Sequence, residues 1–230
     1  MEFNENVSKF YNKKNFRTLY YTGISKFLND RGHKLLEKNL NESLNYDVTL
    51  ELGATHGEHF KYIKHQYRIY EMLDIQSSED LVSLSINNEK VVFTLQDIES
   101  EDFAKGKSYD RILMTCLLHH LNDIDSVLRK IFKVLNEGGR LDILVPCDQN
   151  IFWKMGRFLF VYTKLAKVGL SISNYKSIIK SEHVNTYLEV IDKLGQYDNN
   201  LIEKVNWPFK KLTWRFNVYT KLSFLNGHKS

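Results

Sequence analysis

The sequence predicts an α/β fold of the doubly wound, Rossmann-like kind. Three observations favour it: short apolar runs alternate with helical or polar segments, a glycine-rich turn follows the first run, and no linker or internal repeat interrupts the 230 residues. Apolar residues make up 43% and charged residues 26%, as in ordinary globular proteins, and the length supports one core. We therefore expect a single domain over residues 1–230.

The chain opens with a predicted helical arm, residues 1–46. From residue 6 to residue 44, apolar side chains such as Phe10, Leu19 and Phe27 recur at helical intervals. The alternation of strands and helices begins only after this arm.

The alternating pattern occupies residues 47–146. Strands are predicted at residues 48–52, 68–75, 90–95, 109–116 and 140–145. A helix is predicted over residues 58–65, after the glycine turn, and another over residues 125–135, ended by Gly138 and Gly139. Five strand–helix units in this order indicate a parallel sheet.

The pattern changes after Pro146. A helical cap is predicted over residues 147–184, with its helices between residues 151 and 181. The last segment, residues 185–230, is predicted to hold a helix at 185–194 and strands at 200–205 and 215–222. These last two strands could pair as a hairpin.

Composition excludes several classes of protein. No apolar run reaches the roughly 18 residues of a membrane span, and the first thirty residues or so lack the order of a signal peptide, so we expect a cytoplasmic protein. Cys116 and Cys147 are too few for a disulfide framework and are expected to be reduced thiols. The net charge of +4 is modest and does not point to nucleic acid as a partner.

The glycine turn is the sharpest motif. It reads Glu51-Leu52-Gly53-Ala54-Thr55-His56-Gly57, where the first strand gives way to the next segment. Asp74 follows Gly53 by 21 residues at the end of the second strand, and Asp97 lies just past the third strand. In open α/β sheets, ligands bind beyond the carboxyl ends of the strands, so these residues predict one crevice. A tight turn without a ligand is the alternative interpretation of the glycines alone.

The spacing of the glycines and the charge of Glu51 together indicate which class of ligand the turn would bind. A dinucleotide site would use the spacing G-x-G-x-x-G, which is absent from the chain. Glu51 would repel phosphate and attract an ammonium or sulfonium group. These properties favour S-adenosylmethionine over a nicotinamide cofactor.

A family resemblance becomes specific when further segments are added. They are residues 70–74, Gln96-Asp97, residues 109–114, Leu118-His119-His120-Leu121 and residues 137–141. With Glu51-x-Gly53-x-x-x-Gly57, this set resembles the class I methyltransferases of the type 11 and ubiquinone-biosynthesis kind over residues 47–146. The resemblance implies a seven-stranded sheet with an antiparallel last strand, the final hairpin supplying strands six and seven.

The resemblance also implies S-adenosylmethionine as cofactor and S-adenosylhomocysteine as product, and we expect no metal. It assigns the methionine end to Glu51, Gly53, Ala54 and Gly57, the ribose to Asp74, and the adenine amine to Asp97. The full set of predicted cofactor-binding residues is Glu51, Gly53, Ala54, Thr55, Gly57, Asp74, Ile75, Asp97, Ile98 and Thr115. One departure is Thr55, where the family usually has a third glycine.

Histidine is the natural general base for a hydroxyl acceptor, because its pKa lies near the working pH. His120, beyond the fourth strand, and His183, on the cap side, are the predicted catalytic residues. Helix capping or packing is the alternative role for each. A carboxylate or phosphate acceptor would need no base at all.

The cap carries an unusual charge run. From residue 149 to residue 181 there are six Lys and Arg and no Asp or Glu. On a helical wheel, Lys154, Arg157, Lys164 and Lys167 share one side, opposite an apolar stripe that includes Phe152, Met155, Phe158, Leu159, Tyr162, Leu165 and Ala166. Three interpretations are open. In the first, the basic side faces solvent while the apolar stripe packs on the core; in the second, the basic residues bind an anionic substrate; in the third, the helix contacts an anionic membrane surface.

We expect a small-molecule acceptor that is polar or anionic, or a glycan precursor, and we expect neither a nucleic-acid partner nor contact with a membrane surface. The predicted substrate-binding residues are Lys154, Arg157, Tyr175 and Asn185. The competing predictions are a non-catalytic cofactor-binding subunit, an N-methyltransferase of a small molecule or lipid head group, and a nucleotide-linked oxidoreductase or epimerase. The last would also want a Tyr-x-x-x-Lys pair, and the tyrosines of the cap lack that spacing. The oligomeric state is left open.

Overall fold

A computed structural model describes residues 2–227 and confirms the seven-stranded doubly wound sheet. The strands are β1 (Val48–Leu52), β2 (Ile69–Asp74), β3 (Val91–Leu95), β4 (Tyr109–Thr115), β5 (Leu135–Pro146), β6 (Leu201–Trp207) and β7 (Tyr219–Leu225). Their order is β3-β2-β1-β4-β5-β7-β6. The first five strands run parallel, and β7 is antiparallel to both β5 and β6. The final hairpin thus supplies the last two strands, as the resemblance implied.

Helices cover both faces of the sheet. They are α1 (Glu2–Tyr11), α2 (Lys13–Tyr20), α3 (Gly23–Leu36), α4 (Glu79–Asn87), α5 (Ile124–Val134), α6 (Ile151–Gly156), α7 (Tyr162–Leu165), α8 (Ile172–Glu182) and α9 (Tyr187–Gly195). On one face, α5 and α9 join the core through residues such as Leu128 and Val190. On the other, α3 and α4 do so through Leu36 and Leu81. Within residues 2–227, no helix combines the length and apolar character needed to cross a bilayer.

Local capping signals explain where several helices begin. The Asp123 side chain accepts a hydrogen bond from the Ser126 amide at the start of α5. Thr186 and Glu189 form a reciprocal capping box at the start of α9. Such caps satisfy amide groups that the first helical turn leaves without partners.

The prediction of a helix over residues 58–65 was wrong. Only one 3₁₀ turn forms there, Phe60–Tyr62. The buried rings of His59 and His65 flank this turn, and they hydrogen-bond Glu37 and Thr49 respectively. These tertiary contacts override the local helical spacing.

Four other expectations about helices and strands differ from the structure. The arm's helices end at Leu36 rather than near residue 44, and the helical run of the cap is broken at Gly169, whose φ is +69°. Gly138 and Gly139 do not end α5, because the chain enters β5 directly at Leu135. A 3₁₀ turn, Trp214–Phe216, occupies the start of the strand expected at 215–222, so β7 begins later.

The apolar stripe of the cap does not pack on the core along its whole length. Phe152, Met155, Phe158 and Leu159 are exposed, whereas Leu165 is buried with α1, α2 and α8. A π-helical turn, Arg157–Val161, separates the two halves. Its wider turn changes the phase of the helix, so an evenly spaced stripe cannot face one side throughout.

A buried ionic network joins α3 to the sheet. The Arg111 guanidinium on β4 donates from Nη2 to Glu37 Oε1 at 2.7 Å and from Nε to Asp142 Oδ2 at 2.9 Å. The side chains of all three residues are fully buried. Burial alone would raise the pKa of Glu37, but the charge of Arg111 and the hydrogen bond from His59 hold it below its ordinary value. Both carboxylates are therefore expected to be ionised in the folded protein.

Candidate functional site

The glycine turn forms the carboxyl-end edge of β1. Gly53 has a φ of +70°, and a Cβ there would lie 2.9 Å from Leu117 Cδ1. Gly57 has a φ of +71°, but a Cβ there would meet Leu84 on α4, at 2.6 Å. Both positions favour glycine, for backbone conformation and for space. Gly53 borders the crevice, whereas Gly57 packs the turn against α4.

Thr55 takes the place of the family's usual third glycine and keeps a glycine-like backbone, with a φ of +51°. A β-branched residue is strained in this left-handed region. Its amide donates to Asp74 Oδ2 at 2.8 Å, which ties the turn to the end of β2. The strain is thus offset in part by this hydrogen bond to Asp74, the residue predicted to bind the ribose of the cofactor.

Thr55→Gly is expected to stabilise the protein by about 1 kcal/mol, because it removes the left-handed strain of a side chain. The added freedom of glycine in the unfolded chain subtracts from this gain. Thermal unfolding of the variant and the wild type measures the difference. A lower melting temperature for Thr55→Gly would contradict the strain argument.

Glu51 lies at the bottom of the crevice. Its carboxyl group is almost fully buried and accepts a hydrogen bond from the Tyr70 hydroxyl at 2.7 Å. Burial raises its pKa. A buried carboxyl group of this kind is best matched by a cationic ligand group.

Half of the predicted cofactor residues line one cavity: Glu51, Gly53, Ala54, Thr55 and Thr115. The Thr115 hydroxyl is buried there without a hydrogen-bond partner among residues 2–227, which marks a place for a polar ligand atom. Sequence reasoning missed the aromatic residues of the arm that also line the cavity, Tyr11, Phe16 and Tyr21.

The other predicted cofactor residues lie outside the cavity lining. Asp74 is half-buried beside it, held by the Thr55 amide, and Ile75 is exposed. Asp97 is exposed and accepts a hydrogen bond from the Glu99 amide, whereas Ile98 is buried in the core. For these four residues, and for Gly57, contact with a cofactor remains a prediction.

Three histidines meet at the cap side of the cavity. Their ring centroids lie 4.1 Å apart for His119 and His120, 4.3 Å for His119 and His183, and 5.0 Å for His120 and His183. Nδ1 of His183 lies 2.8 Å from Asp148 Oδ2, and Nδ1 of His120 lies 2.8 Å from the Glu182 carbonyl oxygen. Burial and the neighbouring His183 lower the pKa of His120 to about 4, so this ring is neutral at pH 7.

These contacts orient the two rings. Each Nδ1 faces an oxygen that can only accept, so it donates a hydrogen bond there, and Nε2 of the neutral His120 ring is left as an acceptor. One donor atom from each of the three histidines lies within 4.8 Å of the others, so the cluster could also hold a metal ion. The sequence did not predict this grouping, because His183 lies far along the chain from the adjacent His119 and His120.

One protein-family model matches the central part of the chain. Residues 50–141 match the family model of a methyltransferase domain. The match covers less than half of the chain, which is similar to methyltransferases over these residues. No curated protein matches it significantly.

Solved structures of methyltransferases share the fold of this chain. The N-methyltransferase NodS from Bradyrhizobium japonicum WM9, in complex with S-adenosylhomocysteine, is similar with a TM-score of 0.63 and 17% identity, covering 98% of each chain. The plantazolicin methyltransferase BpumL, in complex with a pentazolic desmethylPZN analogue and S-adenosylhomocysteine, has a TM-score of 0.61 and 13% identity, covering 99% of this chain and 96% of its own. The CurJ carbon methyltransferase has a TM-score of 0.59 and 14% identity, covering 92% of this chain and 57% of its own.

The residues present fit S-adenosylmethionine, the cofactor that the sequence predicts. Glu51 offers a buried carboxyl group, and Thr115 a hydroxyl without a partner among residues 2–227. When bound, the cofactor would supply a methyl group on a positively charged sulfur. Glu51 and Thr115 would then hold and orient it.

The N-terminal arm contributes to the wall of the cavity and contacts both of its sides. Tyr11 donates its hydroxyl hydrogen to Glu182 at 2.9 Å, which joins α1 to the cap. Arg17 pairs with Glu58 at 2.8 Å, which joins α2 to the glycine turn. The arm therefore bridges the two sides of the crevice.

The predicted substrate residues separate into two groups. Arg157 lines the cavity, 3.5 Å from Asp148 and above the Trp153 ring. Lys154 is exposed, Tyr175 is buried beside the Tyr20 hydroxyl, and Asn185 donates to the Leu121 carbonyl group. The structure does not place these last three in the cavity lining.

Proposed function

We propose that the protein is a methyltransferase that methylates a hydroxyl group of a small polar acceptor, with His183 as the general base. The observation that carries this proposal is the Asp148–His183 hydrogen bond of 2.8 Å at the cavity wall. A carboxylate behind the ring fixes the tautomer with Nε2 unprotonated. That nitrogen is then ready to take a proton from a bound hydroxyl group.

The proposed step is an in-line displacement. The acceptor oxygen forms a bond to the methyl carbon as the bond from carbon to sulfur breaks, and the hydroxyl proton passes to His183 Nε2. Asp148 then stabilises the imidazolium ring. The neutral His120 ring offers a second acceptor for the hydroxyl group, which helps to orient it.

The charges around the cavity favour Arg157 as the anchor for an anionic substituent on the acceptor. Arg157 is the only Lys or Arg that the described chain contributes to the lining. Lys164 is occupied by the Leu19 and Thr22 carbonyl groups, and Lys176 lies over the Tyr162 ring. The positive run of the cap therefore does not converge on the cavity as a whole.

N-methylation is the second candidate, favoured by one specific observation. Four carboxyl groups line the cavity, those of Glu51, Glu58, Asp148 and Glu182. This excess of acid would suit an acceptor with a cationic amine. The same His183 base would then have to deprotonate the ammonium group before transfer.

A panel of acceptors separates these candidates. Purified protein is supplied with S-adenosylmethionine and matched sugars or hydroxy acids, amino sugars and amines, and S-adenosylhomocysteine formation is followed. Turnover of hydroxyl acceptors and none of amines is the expected result. Turnover of amines alone would contradict O-methylation.

An acceptor identified by this panel allows the proposed role of Arg157 in substrate binding to be tested. Arg157→Ala is expected to raise KM for an anionic acceptor by about 10- to 100-fold, because a charge-assisted hydrogen bond is lost. Lys154→Ala is the matched control, since this exposed side chain lies outside the cavity lining. Equal KM values for the two variants would remove Arg157 from substrate binding.

A further inference from the structure

The start of the cap presents several large apolar side chains to solvent. Phe152, Met155, Phe158 and Leu159 are all exposed, and Phe158 retains 65% of its accessible surface. Phe152 and Met155 lie on α6, and Phe158 and Leu159 lie on the π-helical turn that follows it. Four exposed large apolar side chains within eight residues are unusual for a surface with no partner.

A neighbouring loop continues this apolar surface. Residues 208–216 present Phe209, Leu212 and Phe216, with Phe209 50% exposed. The loop is held in shape by the buried Asn217, whose amide group donates to the carbonyl groups of Phe209, Leu212 and Thr213. The apolar side chains are therefore presented by a fixed backbone.

The two segments meet at Phe152 and Phe216, whose ring centroids lie 6.2 Å apart. We call the combined surface the cap face; it consists of Phe152, Met155, Phe158, Leu159, Phe209, Leu212 and Phe216. Phe152 also borders a groove lined by Leu28, Phe160 and Val218. Trp153 and Arg157 line both this groove and the active-site cavity, so the cap face adjoins the cavity.

Positive charge accompanies the cap face. Neither residues 149–181 nor residues 204–227 contain an Asp or Glu. The loop between β6 and β7 carries exposed basic residues next to cap-face residues, namely Lys210, Lys211 and Arg215. A second copy of the chain meeting this face symmetrically would bring like charges together. An anionic lipid surface would match both the apolar centre and the basic surroundings.

We propose that the cap face docks the methyltransferase on the surface of an anionic phospholipid bilayer. The aromatic and aliphatic side chains insert into the boundary between headgroups and acyl chains, and the lysines and arginine meet the lipid phosphates. This orientation places the groove beside Phe152 at the membrane. The inference goes beyond the methyl-transfer reaction and does not depend on which acceptor atom is methylated.

Vesicle sedimentation tests the proposal with the full chain. Wild-type protein is mixed with vesicles of phosphatidylcholine alone or of phosphatidylcholine with phosphatidylglycerol, at low and high salt. Binding to the anionic vesicles, weakened by salt and much weaker on phosphatidylcholine alone, is the expected result. Equal binding to both kinds of vesicle, or to neither, overturns the proposal.

Paired variants identify the surface. Phe158→Ser with Leu159→Ser is expected to weaken binding to anionic vesicles on the order of tenfold or more, because two inserted side chains are lost. Ile86→Ser is the control, since Ile86 is 75% exposed on α4, outside the cap face. Circular dichroism and S-adenosylhomocysteine affinity confirm that each variant is folded. Unchanged vesicle binding in the double variant, or a dimer in solution that this variant abolishes, overturns the proposal.

Discussion

Asp148→Asn is expected to lower kcat by roughly 10²- to 10⁴-fold, the usual range for a lost general base. An asparagine amide beside His183 Nδ1 can donate a hydrogen bond to it, which favours the tautomer with the proton on Nε2. That nitrogen can then no longer accept the hydroxyl proton. Steady-state methyl transfer measures kcat, and calorimetry is expected to show unchanged affinity for S-adenosylhomocysteine.

Asp125→Asn is a matched control for this substitution. Asp125 is also a carboxylate in an ion pair, with Lys193, but it joins α5 to α9 away from the cavity. Its loss is expected to leave kcat unchanged. Full activity in Asp148→Asn would eliminate the dyad as the base.

Arg111→Met is expected to destabilise the fold by about 3–5 kcal/mol, because Glu37 and Asp142 would be left buried without their positive partner. For a chain of this size, that loss corresponds to a melting temperature lower by roughly 6–20 °C. Thermal unfolding followed by circular dichroism measures it. Methyl transfer at low temperature is expected to survive in the fraction that folds, since Arg111 does not line the cavity.

Arg68→Met is the comparison for this network. Arg68 pairs with Asp47 at 2.8 Å, but both side chains are mostly exposed and screened by solvent, so the expected loss of stability is small. Adding Glu37→Gln and Asp142→Asn to Arg111→Met is expected to recover part of the stability, because the uncompensated charges disappear. Equal melting temperatures for Arg111→Met and Arg68→Met would contradict the argument.

The sheet and the glycine turn were predictable because their signals are local. Each strand is a short apolar run, and Gly53 stands where the backbone requires a positive φ. The same local reasoning was wrong for residues 58–65, where His59 and His65 face a buried network formed with α3. That network joins residues far apart in the sequence, so no short sequence motif predicts it.

The candidate site was predictable only in part for the same reason. His120 and His183 were selected by residue type, but the partner that orients His183 is Asp148, 35 residues earlier. Several aromatic residues of the cavity lining come from the arm, which the pattern identified only as helical. Helical spacing revealed the apolar stripe of the cap but not which way it faces, because the π-helical turn changes the phase midway.

The shared packing of arm and cap couples any movement of the two segments. Phe10 and Leu19 of the arm lie in one apolar cluster with Leu165, Tyr175 and Ile178 of the cap. An opening movement of the arm would therefore have to break this cluster as well as the contacts from Tyr11 and Arg17. In many enzymes, movements of this kind limit product release and therefore kcat.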